Sequence, residues 1–176
     1  GMLLGTGGTT NLLTVTNGSL MPGTSIGTFG CNSLLMQPAG TLAIEVNGAT
    51  ADQLQVAFTV TLNSPTLKVT GTPTIGASFK IIDKLNPAAI TGTFSGLAEG
   101  AIFDSGGYRY QITYAGGGGS NNDVVLTCLG LTPNPTPTPE PTPEPTPNPR
   151  PAPQVSPDAS PSPTGSLNGP SLSWPP

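Results

Sequence analysis

Few side chains in this sequence are equipped for chemistry. Gly23-Thr24-Ser25-Ile26-Gly27 matches G-x-S-x-G, a turn that can present a nucleophilic serine. That turn works only with a histidine to take the hydroxyl proton and a strand leading into a helix. The chain has no histidine, so the commonest general base and metal ligand is missing. Ser25 therefore reads as part of a turn between strands. Glu45, Asp52, Asp83, Glu99, Asp104 and Asp123 are the carboxylates that could pair for glycoside hydrolysis. They fall mostly at strand ends and turns, where a carboxylate caps backbone amides. Gly116-Gly117-Gly118-Gly119-Ser120-Asn121-Asn122-Asp123-Val124 is one imperfect copy of a glycine-rich calcium nonapeptide. Calcium needs about six to eight oxygens, drawn there from consecutive copies, so a structural turn is expected. No catalytic residue, metal site or cofactor is expected, and the chain reads as a non-enzyme.

Three groups of residues bear on binding or cross-linking. Tyr108, Tyr110 and Tyr114 share one face of a strand, as a core row or as a platform on which a glycan stacks. Cys31 and Cys128 are the only cysteines, and an even count in a secreted protein suggests a bridge. A disulfide needs Cα atoms within about 7 Å. Stacked coils of roughly 20–25 residues, about 4.8 Å apart, would separate the pair by on the order of 19 Å; a β-sandwich would permit the bond. Cysteines near opposite ends could instead join successive subunits. Asn17-Gly18-Ser19 matches the N-glycosylation acceptor but reads as a turn.

The elements that must carry these residues are β-strands. Leu42, Ile44 and Val46 alternate with polar or small neighbours, as do Leu54, Val56, Phe58, Val60 and Leu62, and Tyr108, Tyr110, Ile112 and Tyr114. Period-two alternation predicts strands with one buried and one wet face. Shorter candidates are 12–16, 34–37, 66–70, 78–83, 90–95 and 123–128. Turn signals such as Asn17-Gly18, Asn47-Gly48 and Asn63-Ser64-Pro65 separate them. Asp104-Ser105-Gly106-Gly107, between 101–103 and 108–114, predicts a hairpin.

Composition divides the chain. From Pro133 to Pro153 every second residue is proline, which bars helix and sheet interior and favours extended polyproline II at about 3.1 Å per residue. Residues 1–131 are then the folded module, 132–153 a spacer able to reach roughly 70 Å, and 154–176 a disordered Pro/Ser-rich tail. Thr-Pro pairs in the tail could carry O-glycans. Only 8% of residues are charged, far below the usual quarter. The five basic residues are scattered, which argues against nucleic acid. No apolar run approaches the ~18–20 residues of a membrane span. The opening Met2-Leu3-Leu4 is too short for a signal peptide; the chain reads as a piece of a longer precursor.

Six segments in series resemble the C-terminal end of the repeat region in bacterial autotransporter-associated β-strand repeat proteins, which are secreted, adhesin-like passengers. They are Leu20-Met21-Pro22-Gly23-Thr24-Ser25-Ile26-Gly27-Thr28-Phe29, Gly40-Thr41-Leu42-Ala43-Ile44-Glu45-Val46, Asp52-Gln53-Leu54-Gln55-Val56, Ser78-Phe79-Lys80-Ile81-Ile82-Asp83, the run from Ile90 through Gly92-Thr93-Phe94 to Gly100, and Tyr110-Gln111-Ile112-Thr113-Tyr114 leading to Asn122-Asp123-Val124-Val125-Leu126-Thr127. The resemblance implies a right-handed parallel β-solenoid, an extracellular place on the bacterial surface and no catalysis. The proline-rich tail and the cysteines depart from the family pattern. The expectation is an all-β solenoid end with a C-terminal hairpin cap, with a β-sandwich as the alternative. Its role would be structural or adhesin-like, toward surface or matrix polysaccharide. The rivals are a self-associating fibre subunit and a carbohydrate-binding module tethered to an enzyme.

Overall fold

The structure is a computed structural model describing residues 1–5, 7–8, 11–117 and 122–133, all in the first of the chain's two units, Gly1–Pro135. The expected spacer and tail fall outside the described residues, apart from Thr132 and Pro133 at the spacer's start. The described residues contain no helix. Their strands are β1 (Met2–Leu4), β2 (Leu12–Met21), β3 (Thr28–Cys31), β4 (Ser33–Gly48), β5 (Thr50–Ala51), β6 (Gln53–Val56), β7 (Val60–Asn63), β8 (Thr66–Pro73), β9 (Ser78–Lys84), β10 (Thr91–Thr93), β11 (Ile102–Ser105), β12 (Tyr108–Gly116) and β13 (Asp123–Leu131).

These strands make two open sheets, one mainly parallel and one mixed. In the first the order is β1-β2-β4-β7-β10, with β5 and β8 also on β4; in the second it is β11-β12-β13-β9-β6-β3. Neither closes into a barrel. The chain visits them alternately: β2 in the first, β3 in the second, β4 back in the first, β6 in the second, and so on through β10. Each return lies parallel to the pass before. Thr28 pairs with Gln53 and Thr41 with Thr66, each 25 residues on, and Leu34 pairs with Val60. A parallel pairing needs a crossover of a dozen residues or more, and here the crossover is itself a strand of the other sheet.

Because the register is kept from pass to pass, like faces stack on like. Phe29, Leu54, Ile82 and Val124 are neighbours across four strands of the second sheet, all buried. Val15, Met36 and Leu62 do the same in the first. They join one apolar cluster, in which each large side chain removed from water contributes about 1.5–3 kcal/mol. Close stacking also explains Gly71 in β8. Its φ is 103°, and a Cβ there would lie 2.0 Å from the Val46 carbonyl oxygen on β4.

One expected strand is two. The alternation from Leu54 to Leu62 is interrupted at Ala57–Thr59, where the chain leaves the second sheet for the first. Phe58 lies in that turn and is 55% exposed. Its parity matches the core, but the Ala57 and Phe58 amides donate to Cys31 and Asn32 of the preceding pass, which fixes the turn with the ring outward.

The parallel order ends at β13, which runs antiparallel to β9 and is followed outward by antiparallel β12 and β11. The predicted hairpin is present, turning at Gly106-Gly107. Its Ser105 hydroxyl accepts from the Val69 amide and donates to the Val69 carbonyl, both at 2.9 Å. One side chain thus supplies a rung to β8 where a further strand would supply backbone groups.

Candidate functional site

The sequence-flagged residues are mostly committed to structure. Ser25 sits in the bend between β2 and β3. That bend is held by Asp52, just before β6, whose carboxylate accepts from the Gly27 amide through Oδ1 and from the Glu45 amide through Oδ2, each at 2.9 Å. Asp52 is 1% exposed, so it ties the turn before β3 to strand β4. Glu99 accepts from the Tyr114 amide at 2.6 Å. Asp104 pairs with Arg109 across the hairpin, and the guanidinium beside it holds its carboxyl below the ordinary range.

Asp123, the aspartate of the nonapeptide-like stretch, is buried and engaged. Its Oδ1 accepts from the Lys84 amide at 2.8 Å, and its Oδ2 lies 2.9 Å from Lys80 Nζ. Residues 118–121 of that stretch lie outside the described residues. Among the described residues no three His, Cys, Asp or Glu side chains converge as metal ligands. Lys80 also pairs with Asp83 at 2.9 Å, and its hydrogen bonds to Asp83 and then Asp123 raise its pKa. Lys84 is buried and donates to the Asn86 carbonyl at 2.6 Å and to the Ala88 carbonyl. Burial lowers its pKa. The sequence carried no sign of this inward lysine.

The tyrosines do not form a platform, which corrects the stacking expectation. Tyr110 is 1% exposed and packs at 5.7 Å from Phe103; burial pushes its phenol up to about 12. Tyr114 is half-buried, and its hydroxyl accepts from the Phe94 amide at 2.9 Å and donates to the Leu97 carbonyl at 2.7 Å. Burial pushes that phenol up to about 12 as well. Tyr108 packs against the core. All three face inward because β12 presents that row to the apolar cluster.

The possible disulfide is also corrected: Cys31 and Cys128 are both free and buried. Cys31 is on β3 and Cys128 on β13, with β6 and β9 between them. Three strand spacings of about 4.8 Å already exceed bonding reach. They are also offset along the strands, since Cys31 aligns through Val56 with Lys84, whereas Cys128 donates to the Ala77 carbonyl at the other end of β9. Burial pushes the Cys31 thiol up to about 11.

What remains as a site is a cleft of about 300 Å³ lined by Ile26, Thr28, Ala49, Thr50, Ala51, Gln53, Ser78, Phe79 and Lys80. Its floor crosses β3, β6 and β9. The Ala49–Ala51 segment, paired back on β4, and the turn at Ile26 rim the cleft side by side at the starts of β6 and β3. Gln53 Nε2 donates to the Lys80 carbonyl at 3.2 Å, and Thr50 Oγ1 to the Asn47 carbonyl at 2.8 Å. The sequence reading missed this cleft. The available signal was the 25-residue spacing of Thr28 and Gln53, which pair in the structure; β9 follows at an offset of 28, so the place of Ser78 was not readable that way. A second cleft of about 230 Å³ lies beside Met2, Leu3, Leu13 and Val15. Comparison with protein-family models, curated proteins and solved structures finds no match for this chain.

Proposed function

We propose that this chain is a non-catalytic, extracellular structural module of a bacterial surface, adhesin-like in role. Its fold in this reading is the end of a right-handed parallel β-solenoid, closed by the β11–β13 hairpin cap and carried on the proline-rich spacer. The observation that carries the proposal is the repeated parallel pairing of passes about 25 residues apart, each burying an apolar row on the last. Such stacking is how repeat folds build length, and β-sandwiches instead pair their strands antiparallel. Right-handedness follows from the strong bias of parallel crossovers. The resemblance to the autotransporter-associated repeats supports the extracellular, adhesive part.

A catalytic role is disfavoured because Asp52, Glu99, Asp104 and Asp123 each accept from backbone amides or basic side chains. Fibre growth by head-to-tail stacking needs two open ends. Ser105 occupies the β8 edge at one of them, so the monomeric module is the better reading. The test is adhesion. Beads carrying the full chain should adhere to host cells, to biofilm matrix or to both, well above beads carrying the heat-unfolded chain. Equal capture by folded and unfolded chain on every surface would overturn the proposal.

A further inference from the structure

We infer that the cleft over β3, β6 and β9 binds a neutral, polyhydroxylated polymer, an uncharged polysaccharide. The inference rests on the adhesive reading and names its ligand class. Thr28, Thr50 and Ser78 bring hydroxyls and Gln53 brings an amide; Ser78 shares a 3.0 Å hydrogen bond with Thr127, and Thr50 and Gln53 spend one donor each on backbone carbonyls and keep their oxygens for a sugar hydroxyl. Each of these both donates and accepts, as sugar hydroxyls do. Ile26, Ala49 and Ala51 place alkyl surface among them, suited to the C–H faces of a sugar ring. At about 300 Å³ the cleft stands at the lower end of ligand sites, room for one or two sugar units of a chain.

Charge selects against other ligands. The one ammonium at the cleft, Lys80, is held by both Asp83 and Asp123 at 2.9 Å. Lys80 is already neutralised by these two carboxylates, one of which also faces Lys84, so the cleft offers a polyanion no unmatched positive charge. A free cation finds Lys80 in its way. A neutral polyol meets no such penalty.

The site is also held in shape before any ligand arrives. Asp52 grips the amide of Gly27 behind Ile26, and its own amide donates to the Glu45 carbonyl at 2.8 Å on the strand that Ala51 pairs back onto. One buried carboxylate therefore ties the two rim segments to each other and to β4, which makes Asp52 a positioning residue. Preorganisation of this kind lowers the ordering cost of binding.

Affinity electrophoresis of the full chain tests the inference, in native gels containing dextran, galactomannan, hydroxyethyl cellulose or polygalacturonate. At least one neutral polymer should retard the protein, and polygalacturonate should not. Thr28→Val and Ser78→Ala should each weaken retardation about fivefold, one hydrogen bond's worth, with an unchanged melting curve for Thr28→Val and a slightly lowered one for Ser78→Ala, which also loses its bond to Thr127. Ala51→Trp should abolish it by filling the cleft. No retardation by any neutral polymer, equal retardation by polygalacturonate, or full retardation of the three variants overturns the inference. Beads separate it from adhesion: variants that keep full retardation and whose beads adhere as well as wild type leave the adhesive reading standing and sink the cleft. Neutral-polymer retardation by a chain whose beads adhere nowhere supports the cleft and sinks the adhesive reading.

Discussion

The parallel passes from β2 to β10 and the antiparallel trio β11–β13 hold together by different means. In the passes, backbone groups find partners in the neighbouring pass, and side chains repeat the same apolar rows: Phe29 on Leu54 on Ile82. The trio lies where the passes stop, and side chains there replace missing backbone. Ser105 serves both polar groups of Val69, Tyr114 bridges Phe94 and Leu97, and Glu99 receives the Tyr114 amide. Repetition satisfies itself, whereas termination requires particular residues at particular places.

The largest effect should come from the passes. Leu54→Ala opens a cavity in the middle of the stacked row and should cost about 2–5 kcal/mol in chemical denaturation. A loss below 1 kcal/mol would mean the row is not the source of stability. Asp52→Ala leaves the Gly27 and Glu45 amides without their acceptor and should cost about 2–3 kcal/mol; Asp52→Asn, which keeps one acceptor oxygen, should recover part of it.

Ser105→Ala tests the trio. It should cost about 1–2 kcal/mol, and it uncovers the β8 edge, so sedimentation should reveal self-association that rises with concentration. A monomer at every concentration would show that the hydroxyl does not guard that edge.

The smallest effect is alkaline. Tyr110 and Tyr114 are pushed up to about 12 and Cys31 to about 11, each by burial. The fold favours their protonated forms. That contribution is complete below pH about 9, where the unfolded thiol begins to ionise, and is lost as pH rises through about 11–12. Tyr114→Phe should cost about 1 kcal/mol at neutral pH and make the alkaline fall of the melting temperature shallower.

Strand content was legible because alternation is local: Leu42, Ile44, Val46, Leu54 and Val56 all face inward as their parity requires. Which sheet each strand joins was not legible, since the turn at Phe58 preserves parity on both sides. The cleft escaped notice because its residues are ordinary wet-face side chains until three passes bring them together. The burial of Lys84 escaped as well, because it depends on carbonyls at Asn86 and Ala88 that only the folded loop presents. The Tyr row was visible, but only packing decided between core and surface.

The 25-residue offset at which Thr28 pairs with Gln53 and Thr41 with Thr66 has a consequence for size. Each pass pairs with the passes on either side of it, and in the solenoid reading proposed above such a stack has no preferred length. A duplicated course of Gln53 to Ala77, inserted in register, should fold as one more storey and raise the molecule by about 4.8 Å. The trio admits no such copy, because Ser105 and Tyr114 fit one edge only. In that reading growth and closure are written in separate stretches of the chain, and either could change while the other stays as it is.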